Sequence, residues 1–237
     1  MISKAYGEVF AMMQYLIDSA NIDAIRHLIT FYPIDGVTTN PTILSREKRD
    51  FLPLISEIRE LIGEDRLLFV QTTADTADGI LAEAALLKPV VGRGFVLKVP
   101  MTEAGLRAIP MLKNEGYTVA VTAVFSPTQA LFAAKAGADY VAPFVNRLDN
   151  ILADGTEVIA EIVELFRAHN CTTKVLAASF KTAEQIYRVS LAGADAATVS
   201  PDLYPKLISH PMTDLAIETF GKDWKSVYGD TRIPDLL

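Results

Sequence analysis

Lys98 stands near the end of a short apolar run, Gly94-Phe95-Val96-Leu97-Lys98-Val99-Pro100. Burying an unpaired ammonium there costs several kcal/mol. The lysine must therefore meet a carboxylate, snorkel to solvent or give up its proton. A neutral, desolvated lysine attacks carbonyl carbon and forms a Schiff base. From an ordinary pKa of about 10.4, a fall of about 3 units, roughly 4 kcal/mol, makes it substantially neutral at pH 7. Burial supplies shifts of that size, provided no acid holds the proton on. Asp18 is such an acid, and it can also exchange protons with a carbinolamine or with substrate hydroxyls. Thr38, Asn40, Gln71 and Thr122 can hydrogen-bond hydroxyl groups, while Arg147 and Ser179 suit a phosphate. A polyol phosphate with a ketone carbonyl fits this set. The chain carries no metal cage, no dinucleotide fingerprint and no Ser/His/Asp pattern.

These residues need elements to bring them together. Near-continuous apolar runs bounded by turn residues read as buried parallel strands. Such runs fall at 14–20, 35–42, 67–72, 94–100, 117–124, 140–145, 174–179 and 196–199. Helical patterns follow them at 22–29, 51–62, 76–87, 103–115, 127–137, 157–169, 183–191 and 201–208, with a loop expected at 148–155. The alternative, purely structural role for Asp18 or Ser19 is the N-cap of the first helix. Pro41 holds Asn40 extended. Eight strand–helix units without a hairpin signal fit an α/β fold, a (β/α)8 TIM barrel with a C-terminal helical extension. The rival, an open doubly wound sheet, needs a Gly-rich loop after its first strand, and Asp18-Ser19-Ala20-Asn21 is not one.

In such a barrel the active site lies at the C-terminal ends of the strands, where Asp18, Thr38, Asn40, Gln71, Lys98, Thr122, Arg147 and Ser179 fall. Alternate residues share a face. Thr38 therefore pairs with Asn40, Phe69 with Gln71, Val96 with Lys98, Ala120 with Thr122 and Ala142 with Phe144, each pair expected to face the barrel axis. A single such residue could be a cap or a satisfied core group; the recurrence is hard to explain as packing.

Composition narrows the classes. The 237 residues are half hydrophobic, enough for a sizeable core. A net charge of −7 argues against a general nucleic-acid binder but leaves room for a local phosphate site. The one cysteine, Cys171, is expected to be a packed thiol in a reducing compartment, the cytoplasm. His27, His169 and His210 lack metal spacing and are expected at the surface or at helix ends. No apolar run is long enough to span a membrane. Residues 1–12 are too polar for a secretory signal and are expected to be an arm, with the barrel domain and C-terminal helix at 13–237.

Several stretches resemble the transaldolase family, in its small branch that includes fructose-6-phosphate aldolase. They are Leu16-Ile17-Asp18-Ser19-Ala20-Asn21, Gly36-Val37-Thr38-Thr39-Asn40-Pro41-Thr42, Val96-Leu97-Lys98-Val99-Pro100, Ala142-Pro143-Phe144-Val145-Asn146-Arg147 and Ala177-Ala178-Ser179-Phe180-Lys181. The resemblance implies a Schiff-base lysine at Lys98 and a proton-transfer residue at Asp18. It implies Thr38 and Asn40 near a dihydroxyacetone unit, Thr122 positioning a water, and Arg147 with Ser179 on the phosphate. It further implies no metal or organic cofactor, carbohydrate metabolism linked to the pentose phosphate pathway, and a homopentamer or homodecamer whose C-terminal helix, around Trp224, reaches a neighbour. Two positions point opposite ways. Gln71 matches the aldolases, whereas Phe144 matches the transaldolases, which lack a tyrosine hydroxyl there. Free cleavage of fructose 6-phosphate and strict transfer both stay open, as does a barrel that binds sugar phosphate without turning it over.

Overall fold

A computed structural model of the chain describes residues 12–236. The expected arm at 1–12 lies, apart from Met12, outside the described residues. The apolar runs form strands β1 (Gln14–Asp18), β2 (Gly36–Thr38), β3 (Leu67–Gln71), β4 (Phe95–Pro100), β5 (Thr118–Val124), β6 (Tyr140–Pro143), β7 (Lys174–Ala177) and β8 (Ala196–Val199). They pair in sequence order, all parallel, and β8 pairs with β1 to close the barrel. That closure removes the open-sheet alternative. Around the barrel run α1 (Ile22–Phe31), α2 (Pro41–Arg46), α3 (Phe51–Ile62), α4 (Ala77–Val91), α5 (Glu103–Asn114), α6 (Pro127–Ala136), α7 (Val145–Asp149), α8 (Gly155–Ala168) and α9 (Ala183–Ala192).

The interior is filled by one face of the strands. Leu16, Phe69, Val96, Ala120, Tyr140, Ala142, Leu176 and Ala196 form one buried cluster, with the Phe69 and Tyr140 rings edge-to-face at 5.4 Å. Gly36 is required at its place in β2, because a Cβ there would lie 2.3 Å from the Leu67 carbonyl oxygen. The helix starts are fixed locally. Thr76, Thr102, Ser126 and Thr182 each accept a backbone N–H of the helix they precede, so the chain turns into helix soon after β3, β4, β5 and β7, and Asp154 caps α8 in the same way.

The opposite, N-terminal end of the barrel is clamped by three aspartates just before β2, β6 and β8. The Asp35, Asp139 and Asp195 carboxylates accept the backbone N–H of Tyr15 (2.8 Å), Val119 (2.8 Å) and Val175 (2.7 Å). Each aspartate's own N–H donates to the carbonyl of that same neighbouring residue. The strand starts are thereby tied laterally where the regular ladder has run out. Lys113 adds an ion pair to Asp139 at 2.6 Å.

The structure corrects several local expectations. Asn21, not Asp18 or Ser19, caps α1, its side chain accepting from the Ala24 N–H at 3.0 Å. Ser19 instead accepts the Asn21 N–H, which leaves Asp18 free of any cap duty. The helices α2 and α7 were expected to be strand end and loop. In α2 the cue was Asn40-Pro41, an N-cap followed by proline at the first helical position. Asn40 is extended as expected (φ −154°) and accepts the Ile43 N–H. The fourth helix runs through Pro89 to fully buried Val91, so the proline, which removes a hydrogen bond, does not end it. His169 and His210 sit at helix ends and His27 is exposed, as expected; Cys171 is half-buried.

The chain divides into two compact units, one ending at Leu203 and one starting at Tyr204. The second contains α10 (Tyr204–Ile208), α11 (Pro211–Tyr228) and a 3-10 turn (Ile233–Leu236). Within it Trp224 packs on Tyr228, ring centroids 4.5 Å apart, and its indole N–H donates to the Thr231 carbonyl. Among the described residues, no helix is long and apolar enough to cross a membrane.

Candidate active site

Moving two residues along each strand from the apolar barrel layer keeps the side chain on the same face. From Leu16, Phe69, Val96, Ala120, Ala142 and Ala196 this step reaches Asp18, Gln71, Lys98, Thr122, Phe144 and Thr198. Strand alternation alone thus lays a polar layer on top of an apolar one, at the C-terminal mouth. In the ladder Gln71 is the register partner of Lys98, and Asp18 that of Thr38.

The mouth opens into a cavity of about 580 Å3. Asp18, Asn40, Gln71 and Thr122 line its strand side, and Phe144, Arg147 and Ser179 its β6–β7 side. Thr38 and Lys98 do not line it but are buried directly against residues that do, 0% and 5% exposed, Thr38 bonded to Asp18 and Lys98 beside Gln71 in the ladder. All nine residues expected from sequence therefore converge on one place.

Lys98 is held by the backbone. Its Nζ donates to the Thr39 carbonyl oxygen at 3.0 Å. Thr39 is itself fixed, its hydroxyl donating to the Phe69 carbonyl at 2.9 Å. Asp18 accepts from the Thr38 hydroxyl at 2.8 Å. Burial holds the Lys98 ammonium below the usual lysine range, opposed by the Asp18 charge. Burial pushes the Asp18 carboxyl above the usual carboxylate range, opposed by Lys98, by the Thr38 hydrogen bond and by Arg46. Both displacements favour the uncharged pair, an amine beside a carboxylic acid. That pair has the same number of protons as the ion pair, and it is the nucleophilic form.

Phe144 caps α7 and packs edge-to-face on Phe125 at 5.4 Å. The Arg147 guanidinium lies over the Phe144 ring, 5.1 Å from its centroid, which aims an exposed cation at the cavity. Ser179 arrives differently. On β7 the inward positions are Leu176 and Ala178, so alternation would send Ser179 outward. Its backbone is left-handed (φ 64°), and this bend places it on the cavity wall. Ala123, also on the wall, is left-handed too (φ 58°), where the β5–β6 register slips between Thr122 and Val124. Two non-glycine residues in this region cost on the order of 1–3 kcal/mol each, and such strain collects at functional sites.

Sequence reasoning missed Thr198, Arg46 and Lys181, which also line the cavity. Alternation from Ala196 points to Thr198. Lys181 follows directly on Ser179-Phe180. Arg46 was out of sight because it closes α2, a helix that was not expected. A second hollow of about 560 Å3, between α2, α3 and α4, shares Pro41 and Gln71 but is lined largely by leucines and Phe51, with neither Lys98 nor Asp18. Among the described residues, no group of three or more His, Cys, Asp or Glu side chains could hold a metal ion.

Residues 15–231 match the model of the family described as Transaldolase/Fructose-6-phosphate aldolase. A probable transaldolase from Heliobacterium modesticaldum is 42% identical over 215 residues, 91% of this chain and 99% of the relative. The one from Brachyspira hyodysenteriae is 41% identical, covering 92% of this chain and 100% of the relative. That from Aquifex aeolicus is 40% identical, covering 91% and 98%. Among solved structures, a thiamine phosphate pyrophosphorylase from Pyrococcus furiosus superposes with a TM-score of 0.56 at 20% identity, covering 80% of this chain and 85% of that one. The native KDPGal structure does so at 0.56 and 19%, covering 83% and 86%. These two likenesses speak to the barrel alone. The family match and the relatives, which align along nearly their whole length, settle the assignment: the chain belongs to the transaldolase/fructose-6-phosphate aldolase family.

Proposed function

We propose that the chain is a lysine-dependent enzyme that cleaves or transfers the dihydroxyacetone unit of a ketose phosphate such as fructose 6-phosphate. The observation that carries this reading is a buried lysine bonded to a backbone carbonyl, beside a buried acid, under a cavity rimmed by cations. In the uncharged pair, the Lys98 amine adds to the ketone carbon and Asp18 gives its proton to the oxygen. Loss of water from the carbinolamine leaves the protonated imine. The hydroxyl on the second carbon from the imine then loses its proton to the Asp18 carboxylate as the bond between that carbon and the first breaks. The bonding electrons flow to the iminium nitrogen, giving an enamine on Lys98 and a free aldehyde. Asn40, on the cavity wall, suits the donor's hydroxyls, and Thr122 and Gln71 can hold a water. Arg147, Ser179 and Lys181 gather on one wall and suit the phosphate.

The enamine has two exits. Attack on an acceptor aldehyde completes a transfer; protonation and hydrolysis release dihydroxyacetone. Phe144 favours transfer, because the wall beside it is aromatic where a phenol would supply a proton. The relatives' name, probable transaldolase, favours the same exit. Fructose 6-phosphate should be incubated with and without erythrose 4-phosphate while triose phosphate is followed. The transfer reading expects release only with the acceptor. Equal release without it would refute strict transfer, and no release in either case would refute turnover of this substrate.

We further propose assembly as a homopentamer or homodecamer in the cytoplasm. The lone cysteine supports the compartment. Exposed Leu215, Ile217 and Phe220 on α11 support the assembly.

A further inference from the structure

Thr198 has no part in the chemistry so far, yet its hydroxyl ends a buried chain that leads to Asp18. On β8 it stands two residues beyond Ala196 of the barrel core, hence on the interior face, and it is 4% exposed. The Thr198 and Thr38 hydroxyl oxygens are hydrogen-bonded to each other, and the Thr38 hydroxyl donates to the Asp18 carboxylate at 2.8 Å. Proton counting orders the chain. A hydroxyl has one proton. That of Thr38 is committed to a carboxylate that can only accept, so Thr198 must donate to Thr38. When Asp18 carries the proton, it can donate to Thr38, and Thr38 to Thr198. The chain then runs in reverse without any heavy atom moving.

We propose that Thr198 is a positioning residue for proton transfer by Asp18. It supplies a donor to Thr38 while the acid is charged and an acceptor when the acid is protonated, so neither state leaves Thr38 with a buried unmatched group. The inference rests on the reading of Lys98 and Asp18 given above. Linked hydrogen bonds polarise one another, so the Thr198 donation strengthens the Thr38 bond to the charged carboxylate. Loss of Thr198 therefore weakens the charged form of Asp18. The other charges acting on Asp18 are Lys98 on β4 and Arg46 on α2, and neither is changed.

The test is Thr198→Val, which keeps the shape and deletes the hydroxyl, compared with Thr198→Ser, which keeps the hydroxyl, and Thr198→Ala. The rate of borohydride-trapped adduct formation with dihydroxyacetone is measured across pH. Valine and alanine should slow trapping about tenfold, the worth of one hydrogen bond in a charged chain, and move the alkaline limb of the profile, where Asp18 loses its proton, to higher pH. Serine should recover most of the rate and restore the limb. Unchanged rate and limb in both valine and alanine variants, with wild type trapping normally, would overturn the role of Thr198. A slower rate with an unmoved limb that serine does not restore would reduce Thr198 to packing, which also overturns it. Failure of the wild type to form an adduct would instead overturn the lysine reading, and this inference with it.

Discussion

Replacing Asp18 by Asn probes the acid without remaking the site. The Thr38 hydroxyl can still donate to an amide oxygen at this position, so the Thr38 contact at 2.8 Å is retained. Two things are lost. The first is a proton carrier for the carbinolamine oxygen and the substrate hydroxyl, and positioned acid–base groups contribute about 100- to 10,000-fold. At 1.36 kcal/mol per decade this is about 3–5 kcal/mol of barrier. The second is the negative charge that opposes the effect of burial on Lys98. Without it the lysine loses its proton more readily. The sign is therefore fixed: in Asp18→Asn the alkaline-favoured limb that reports free amine should move to lower pH, even as the rate falls. Turnover of fructose 6-phosphate and borohydride trapping, both followed between about pH 6 and pH 10, separate the two effects. A loss below tenfold would refute the acid role. A limb that moved to higher pH would refute the electrostatic coupling.

Three other outcomes follow from the same geometry. Arg147→Ala should raise KM for a phosphorylated substrate about tenfold, the low end for a charged hydrogen bond because Arg147 is exposed, while dihydroxyacetone trapping on Lys98 stays unchanged; a fall in trapping would move Arg147 out of the phosphate role. Phe144→Tyr should increase acceptor-independent cleavage by placing a phenol on the aromatic wall, and an unchanged or lower rate, read by triose phosphate release, would contradict the account of the two exits. Asp139→Ala should lower the unfolding free energy by about 1–3 kcal/mol by orphaning the Val119 N–H and removing the Lys113 ion pair, seen as a lower denaturant midpoint without loss of the Lys98 adduct.

Much of this was legible before any coordinates. The barrel followed from the alternation of apolar runs and helical patterns, and the site from asking what stands at each strand's end. Period-two alternation works for Gln71, Lys98 and Thr122 because β3, β4 and β5 stay regular through these positions, the β5–β6 slip coming only after Thr122. It would have found Thr198 as well, had the last strand been read to its polar position. It does not explain Ser179, whose place depends on a left-handed backbone that alternation cannot encode. It also hid Arg46, since α2 was taken for the end of a strand. The cap that the sequence offers Asp18 or Ser19 as an alternative role belongs to Asn21, because Ser, Asp and Asn all cap helices well and only the geometry of the turn chooses among them. The lysine's state was not legible either: it depends on depth of burial and on the Thr39 carbonyl, a backbone partner that no side-chain pattern announces.

The central claim is that Lys98 is the nucleophile. Reduction with borohydride in the presence of dihydroxyacetone or fructose 6-phosphate, followed by proteolysis and mass spectrometry, tests it most directly. The account predicts one reduced adduct, on the peptide containing Lys98, absent in Lys98→Met. No adduct, or an adduct on any other lysine that persists in Lys98→Met, would contradict it.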